Sequence, residues 1–130
     1  MIMDRLQSWD DVQGFLARLP GAEFQPAGGH FPRGVVRVRG KVVAYPAGGA
    51  RGSPPDAVAG EEFVFVKAGP DEKAALLDQD PVTFFVTPHY AGSPGVIVRL
   101  RTADQAQLRE LLTEAWRQVA PAALVREYEA

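Results

Sequence analysis

Residues 81–119, PVTFFVTPHYAGSPGVIVRLRTADQAQLRELLTEAWRQV, contain the strongest structural signals in the sequence. VTFFVT and VIVRLR are rich in β-branched and aromatic residues, which is typical of strands, and AGSPG between them is typical of a turn. Thr102, followed by Gln105, predicts a capping box at the start of a long helix. The apolar residues of this helix recur at helical spacing: Leu108, Leu111, Leu112, Ala115, Trp116 and Val119. They form one face, which we expect to cover the sheet.

Three further helices are predicted outside this unit. A first helix should be capped by Ser8 and end at Pro20, where Pro-Gly stops the apolar periodicity. A second should open at Pro70 and end by Asp80, because a proline follows. A short terminal helix is expected in residues 123–129.

The remaining segments predict three more strands and one long loop. Residues 34–38 and 41–45 are expected to form a hairpin with a tight turn at Arg39-Gly40, and residues 61–68 alternate like a third strand. Residues 46–60 are rich in Pro, Gly and Ala and predict a flexible surface loop. Residues 22–33 are interpreted as a loop with at most a short extended piece at Glu23–Gln25. This order predicts an α+β, two-layer sandwich with one antiparallel five-stranded sheet.

Some single residues carry their own structural expectations. Trp116 is expected in the core, whereas Trp9, at the start of the first helix, is expected to be half exposed. Phe84 and Phe85 are neighbours on a strand and must therefore face opposite sides of the sheet. One of them should be in the core, and the other should pack beneath a helix or line a small surface groove.

Composition places the chain among ordinary globular domains. Its 130 residues are 46% hydrophobic and 23% charged, with a net charge of −2, and they predict one domain spanning 1–130. The absence of cysteine excludes disulfides and cysteine nucleophiles. No apolar run is long enough to span a membrane, and the first residues lack the apolar core of a secretory signal, so a cytoplasmic location is expected.

One stretch of the sequence is basic and contains no acidic residue. Between Phe24 and Pro55 there is no acidic residue, but there are five basic ones: Arg33, Arg37, Arg39, Lys41 and Arg51. A basic hairpin of this kind could lie along a phosphate backbone, with Arg99 and Arg101 as further contacts. The alternative is a solvated strand face whose arginines pair with acidic helices. A two-residue turn would also place Lys41 opposite Val38 and scatter the charges over both faces.

The segment Thr87-Pro88-His89-Tyr90 is the second candidate site. Thr87, His89 and Tyr90 at a strand end could bind a ligand, and a histidine beside a tyrosine could take part in acid–base chemistry. The only other histidine, His30, is far away in sequence. The alternative is a structural loop in which Tyr90 packs and His89 forms a hydrogen bond.

Sequence motifs for catalysis or cofactor binding are missing. There is no HExxH motif, no EF-hand loop and no cysteine cluster, so no metal is expected. Gly40-Lys41 is followed by Val42, so the Ser/Thr of a phosphate-binding P-loop is absent. Gly92-Ser93-Pro94-Gly95 is a turn rather than a nucleophile elbow. We therefore predict neither an enzyme nor a bound cofactor.

The chain resembles the MmcQ/YjbR family. The similarity begins at SWDDVQGFLARLPGAE and is clearest from PDEKAALLDQDPVTFFVTPHYAGSPGVIVRL to LRELLTEAWRQVAPAALVREY. The resemblance implies an α-β3-α-β2-α fold with an antiparallel sheet, similar to frataxin-like and secretion-chaperone-like domains. It also implies DNA binding through a "double wing" motif, a label that rests on structural analogy.

Together these observations lead to two functional hypotheses. The first is a DNA-binding domain without enzymatic activity that makes weak electrostatic contacts through the basic hairpin. The second is a protein- or small-ligand-interaction module that uses the open sheet face and the Thr87–Tyr90 loop. In either case we expect a monomer or weak dimer with no membrane or metal partner.

Overall fold

The computed structural model describes residues 5–130, apart from the side chain of Ala50, so the predicted domain 1–130 begins with four residues outside this range. Its strands are β1 (Ala22–Gln25), β2 (Val35–Val38), β3 (Lys41–Ala47), β4 (Phe63–Lys67), β5 (Phe84–Phe85) and β6 (Gly95–Arg99). They form one antiparallel sheet in the order β1-β2-β3-β4-β6-β5. The predicted α+β class with an antiparallel sheet is confirmed.

The sheet has one strand more than the five expected. β1 pairs with β2 along its whole length, with Phe24 opposite Val36. The sequence indicated only a short extended piece here, because four residues followed by a proline carry little periodic signal. Pairing satisfies the backbone groups on the outer side of β2, which is a tertiary effect.

The helices are α1 (Trp9–Leu16), α2 (Gly49–Gly52), α3 (Pro70–Gln79), α4 (Gln105–Val119) and α5 (Ala122–Glu129). Single 3₁₀ turns lie at Pro88–Tyr90 and Leu100–Thr102. The predicted apolar face of α4 is confirmed, since Leu108, Leu112 and Trp116 are at most 1% exposed. These side chains join residues of α1, α3 and the sheet in one core, so the longer helices cover a single face of the sheet.

The N-cap of helix α4 lies two residues later in the chain than predicted. The side chain of Asp104, not of Thr102, accepts a hydrogen bond from the backbone N–H of Gln107, at 2.9 Å. Thr102 lies in the preceding 3₁₀ turn, and its hydroxyl is 2.7 Å from that of buried Thr83. The prediction was wrong because either residue can cap, and the buried Thr83 engages the threonine.

Trp9 was also predicted wrongly. It is only 3% exposed rather than half exposed, because α1 lies flat against the core. Its indole Nε1 donates to the backbone oxygen of Arg33 at 3.2 Å. The ring therefore gains a polar partner while its apolar body is buried.

Two predicted segments have different bounds in the structure. The strand predicted at 82–87 is reduced to Phe84–Phe85, because Asp80 Oδ1 accepts from the backbone N–H groups of Val82 and Thr83 and holds them in a turn. The predicted loop 46–60 is shorter than expected, since β3 continues to Ala47 and α2 follows.

The hairpin between β2 and β3 is confirmed in both position and register. Arg39 and Gly40 both have positive φ, 50° and 81°, as a type I′ turn requires. Val38 pairs with Lys41, and the register shifts by one residue between Val36 and Arg37. The tight turn fixes the hairpin tip at one end of the sheet.

Alternation along β4 separates the two faces of the sheet as predicted. Val64 and Val66 belong to the helix-covered core, whereas Phe63 and Phe65 lie on the opposite face. Phe84 and Phe85 divide in the same way. Within the described residues, no helix combines the length and apolarity that crossing a membrane would require.

Candidate functional site

The sheet face opposite the helices carries a second apolar cluster, here called the aromatic cluster. Its members come from four strands and the turn after β5: Tyr45, Phe63, Phe65, Phe85, Tyr90 and Ile97. The rings of Tyr45 and Phe65 stack with centroids 4.8 Å apart, and Tyr90 lies 5.6 Å from Phe65. Burial, aided by the neighbouring Tyr90, raises the pKa of the Tyr45 hydroxyl.

A cleft of about 620 Å³ opens beside the aromatic cluster, between segments 51–56 and 81–89. Its walls are mostly apolar: Pro54, Pro55, Pro81, Val82, Phe85, Val86 and Pro88. Its remaining lining side chains are polar: Arg51, Ser53, Asp56, Thr87, His89 and Arg99. A volume between 300 and 1,000 Å³ with a few polar groups among apolar ones is typical of sites for small molecules.

Arg99 lines this cleft from β6, although its side chain is only 4% exposed. Its Nη2 donates to Asp56 Oδ1 at 2.8 Å, and its Nε lies 3.1 Å from Glu61 Oε2. The guanidinium also stands over the ring of Phe63, 5.6 Å from its centroid. The hydrogen bond between Arg99 and Asp56 lowers the pKa of the carboxyl and raises that of the guanidinium. Arg99 is thus a buried charge held by two carboxylates.

The three residues predicted for ligand binding lie close together but face different surroundings. Thr87 and His89 line the cleft, and the hydroxyl of Thr87 donates to the backbone oxygen of Arg51. Tyr90 turns away from the cleft lining and packs on Phe65 in the aromatic cluster. The segment therefore borders both features of this face.

The predicted basic residues are divided between the two ends of the sheet. Lys41 begins β3 at the hairpin tip, whereas Ala47 ends it opposite Phe63, six residues or about 20 Å away. Arg37 and Arg39 lie at the tip end with Lys41. Four others lie toward the far end: Arg33, Arg51, Arg99 and Arg101. One continuous basic ribbon along the hairpin is therefore not formed.

Most of the far-end arginines contact carboxylates. Arg33 Nη2 lies 3.0 Å from Glu62, and Arg101 Nε lies 3.1 Å from Glu61, which also contacts Arg99. These pairs cancel positive charge locally. The carboxylates belong to the segment before β4 and not to the acidic helices that the alternative interpretation expected.

The three basic residues at the hairpin tip differ in their exposure and in their contacts. Arg37 is half-buried; its Nη1 donates to Gly40 O at 2.9 Å, and its guanidinium lies 5.2 Å from the centroid of the Phe31 ring. Arg37 therefore supports the turn. Arg39 and Lys41 are exposed, and neither forms an ion pair within the described part of the chain.

Glu62 joins three elements near the far end of the sheet. It accepts hydrogen bonds from the backbone N–H of Trp9 at 3.1 Å and from both terminal nitrogens of Arg33. Burial alone would raise the pKa of Glu62, but these hydrogen bonds outweigh it and lower the pKa. The charged carboxylate is therefore part of how α1 docks against the sheet.

Metal chemistry has no evident site. Across residues 5–130, no group of three or more histidine, aspartate or glutamate side chains is arranged to hold a metal ion.

Sequence reasoning identified Thr87 and His89 but missed the opposite wall of the cleft. Residues 51–56 were interpreted as a flexible loop, and Asp56 gave no signal because its partner is 43 residues away. One available signal was the alternation in VIVRLR, which places Arg99 on the same face as Ile97. An arginine on an apolar strand face implies a nearby carboxylate.

The fold and the cleft define an α+β protein with helices on one sheet face and a cleft on the other. The YjbR family model matches residues 17–118, and the chain therefore belongs to that family. This confirms the resemblance seen in the sequence.

Individual relatives match over a shorter stretch. The chain is 45% identical over 56 residues to "Uncharacterized protein Rv2570" of Mycobacterium tuberculosis and, equally, to "Uncharacterized protein Mb2600" of Mycobacterium bovis. That stretch spans 43% of this chain and 43% of each relative's length. The names of these two relatives state no activity.

Proposed function

We propose that this YjbR-family protein binds a small ligand in the cleft between segments 51–56 and 81–89, without transforming it. The supporting observation is the cleft itself, with a volume of about 620 Å³ and a wall of seven apolar and six polar residues. Thr87 and His89, singled out from the sequence, both line it.

Binding is favoured over catalysis because the polar groups of the cleft form no activated pair. His89 contacts the ring of Tyr90, with centroids 5.1 Å apart, and has no hydroxyl or carboxylate partner among the described residues. The Thr87 hydroxyl is committed to a backbone oxygen, and Asp56 to Arg99. A nucleophile or general base needs a partner at about 3 Å.

A fragment screen followed by ¹H–¹⁵N NMR tests this proposal. Val82 lines the cleft and is 55% exposed, so Val82→Trp should obstruct part of the cleft and leave the core intact. Val58 is 59% exposed and lies outside the cleft, so Val58→Trp is the matched control. We expect fragments that bind the wild type and Val58→Trp but lose most of their affinity for Val82→Trp. An absence of hits on the wild type, or equal binding to all three, would contradict the proposal.

A second function, weak electrostatic binding of DNA, is favoured by the exposed hairpin tip. We propose that Arg39 and Lys41 would contact phosphates, because their charges are not cancelled by a carboxylate within the described residues. Two phosphate contacts give a log–log salt slope near −2, at roughly −0.9 per contact. Affinity should then fall about tenfold between 50 and 200 mM salt.

Fluorescence anisotropy with a labelled 20-base-pair duplex tests the second proposal. The variant Arg39→Ala/Lys41→Ala should abolish binding at 50 mM salt. The matched control Arg5→Ala/Arg18→Ala also removes two positive charges, from exposed side chains outside the hairpin, and should bind like the wild type. Equal losses in both variants would mean that net charge, not the hairpin tip, governs the interaction.

A further inference from the structure

The Arg99 ion pair is unequal in its exposure to solvent. The side chain of Arg99 is 4% exposed and that of Glu61 is 1% exposed, whereas that of Asp56 is 73% exposed. Arg99 is therefore the buried member, and Asp56 reaches it from a solvated segment that forms one wall of the cleft.

Because Asp56 is far more exposed than Glu61, Asp56 is the carboxylate that another anion could replace on Arg99. A buried guanidinium needs an anion, because an uncompensated buried charge is costly. Asp56 is already largely hydrated, so its release into water requires no desolvation and loses only an ion-pair contact that solvent screens on the Asp56 side. Glu61 would stay in place, since it is buried and also contacts Arg101 at 3.1 Å. Another anion could thus replace Asp56 without leaving Arg99 unpaired.

The guanidinium also has unused hydrogen-bonding capacity. Arg99 Nε is buried and lies 3.1 Å from Glu61 Oε2, yet it makes no hydrogen bond of good geometry with any described residue. Its contact with Asp56 is uneven, 2.8 Å from Nη2 to Oδ1 and 3.4 Å from Nη1 to Oδ2. Arginine binds a carboxylate best through two short parallel hydrogen bonds, and the second of the two is long here, so a carboxylate free to adjust its position could bind this fork better than Asp56 does.

We propose that the ligand of the cleft is a small apolar carboxylic acid whose carboxylate replaces Asp56 on Arg99. This inference rests on the proposed function, since it names the chemistry of the molecule bound there. The carboxylate occupies the guanidinium fork now held by the side chain of Asp56. The hydrocarbon part packs against Val82 and Phe85, and Asp56 acts as an internal competitor.

Isothermal titration with 4-phenylbutyrate and 4-phenyl-1-butanol tests this inference, because the two compounds share their apolar part and differ in the charged group. The wild type should bind the acid more tightly than the alcohol. Asp56→Asn, which removes the competing charge and keeps the shape, should bind the acid about fivefold more tightly, with no gain for the alcohol. Asp10→Asn, an exposed change on α1, is the matched control and should leave both affinities unchanged.

The outcomes separate the two proposals. If the alcohol binds as well as the acid and Asp56→Asn changes neither, the carboxylate inference is overturned and the cleft remains a binding site. If neither compound binds the wild type or Asp56→Asn, the carboxylate inference is also overturned, and the fragment screen alone then judges the cleft. If the acid binds equally to Val82→Trp and to the wild type, it binds outside the cleft, and the inference is wrong.

Discussion

At the residue scale, strand alternation explains why Arg99 is buried. In β6, Ile97 and Arg99 project to the same face of the sheet because side chains of a strand alternate. The arginine thus enters the edge of the aromatic cluster, and its charge is tolerated because Asp56 and Glu61 lie within 3.1 Å. A single strand position therefore links the packing of the open face to the chemistry of the cleft.

The glycines at positions 95 and 14 give opposite predictions for the same substitution. A Cβ on Gly95 would lie 2.4 Å from the backbone oxygen of Val66 and 2.6 Å from the ring of Phe65. Gly95→Ala should therefore destabilise the protein by about 1–3 kcal/mol. A Cβ on Gly14 meets nothing within 4 Å on an exposed part of α1, so Gly14→Ala should stabilise by about 0.5–1 kcal/mol. Urea denaturation of both variants checks the signs, and a stable Gly95→Ala would contradict the close approach.

At the element scale, the longer helices form where the sequence predicts them. The contacts between these helices, however, include destabilising as well as stabilising ones. α3 presents Glu72 toward α4, where Gln118 Nε2 donates to it at 3.4 Å. Burial first, and the charge of Glu114 second, raise the pKa of Glu72. Burial between the two helices and the charge of Glu114 therefore oppose the charged form of Glu72, and the hydrogen bond from Gln118 offsets this only in part.

Replacing Glu72 by glutamine should stabilise the protein in a pH-dependent way. A carboxyl whose folded pKa is raised is penalised above that pKa, and the penalty vanishes once the group is protonated in both states. Glu72→Gln should exceed the wild type in melting temperature at pH 7 and match it near pH 4, below the ordinary glutamate pKa. Glu110→Gln, an exposed change on α4, serves as the control. A difference that is constant with pH would exclude this explanation.

At the scale of the whole molecule, ion pairs at one end of the sheet tie loops to strands. Glu61 and Glu62, at the start of β4, hold arginines from β6, from the turn after it and from the loop before β2. The hairpin tip at the opposite end keeps its exposed charges. Because of this division, the proposed ligand site and the proposed DNA contact occupy different ends of the sheet.

The pKa of Glu62 is lowered whereas that of Glu72 is raised, so the two carboxylates should change the stability of the protein with pH in opposite directions. Its lowered folded pKa means that it stabilises the protein above the unfolded-state pKa, and that this contribution is lost as pH falls through the folded pKa. Glu62→Gln should therefore lower the melting temperature at pH 7, and the deficit should shrink below about pH 4.3. Thermal denaturation from pH 7 to pH 3 measures this. A deficit that persists in acid would point to packing, not charge.

The sequence by itself determined the parts of this protein that depend on local periodicity and turn chemistry. The apolar stripe of α4, the alternation of β4 and the tight turn at Arg39-Gly40 were all predictable, since each is encoded by neighbouring residues. The antiparallel α+β class followed from the order of those elements.

Only the tertiary structure decided which distant residues meet. β1 is a strand because β2 lies beside it, and Asp104 caps α4 because Thr83 engages Thr102. The cleft joins segments 51–56 and 81–89, and the ion pair joins Arg99 to Asp56, 43 residues earlier in the chain. No local pattern encodes such a pairing, because it depends on how the whole chain packs.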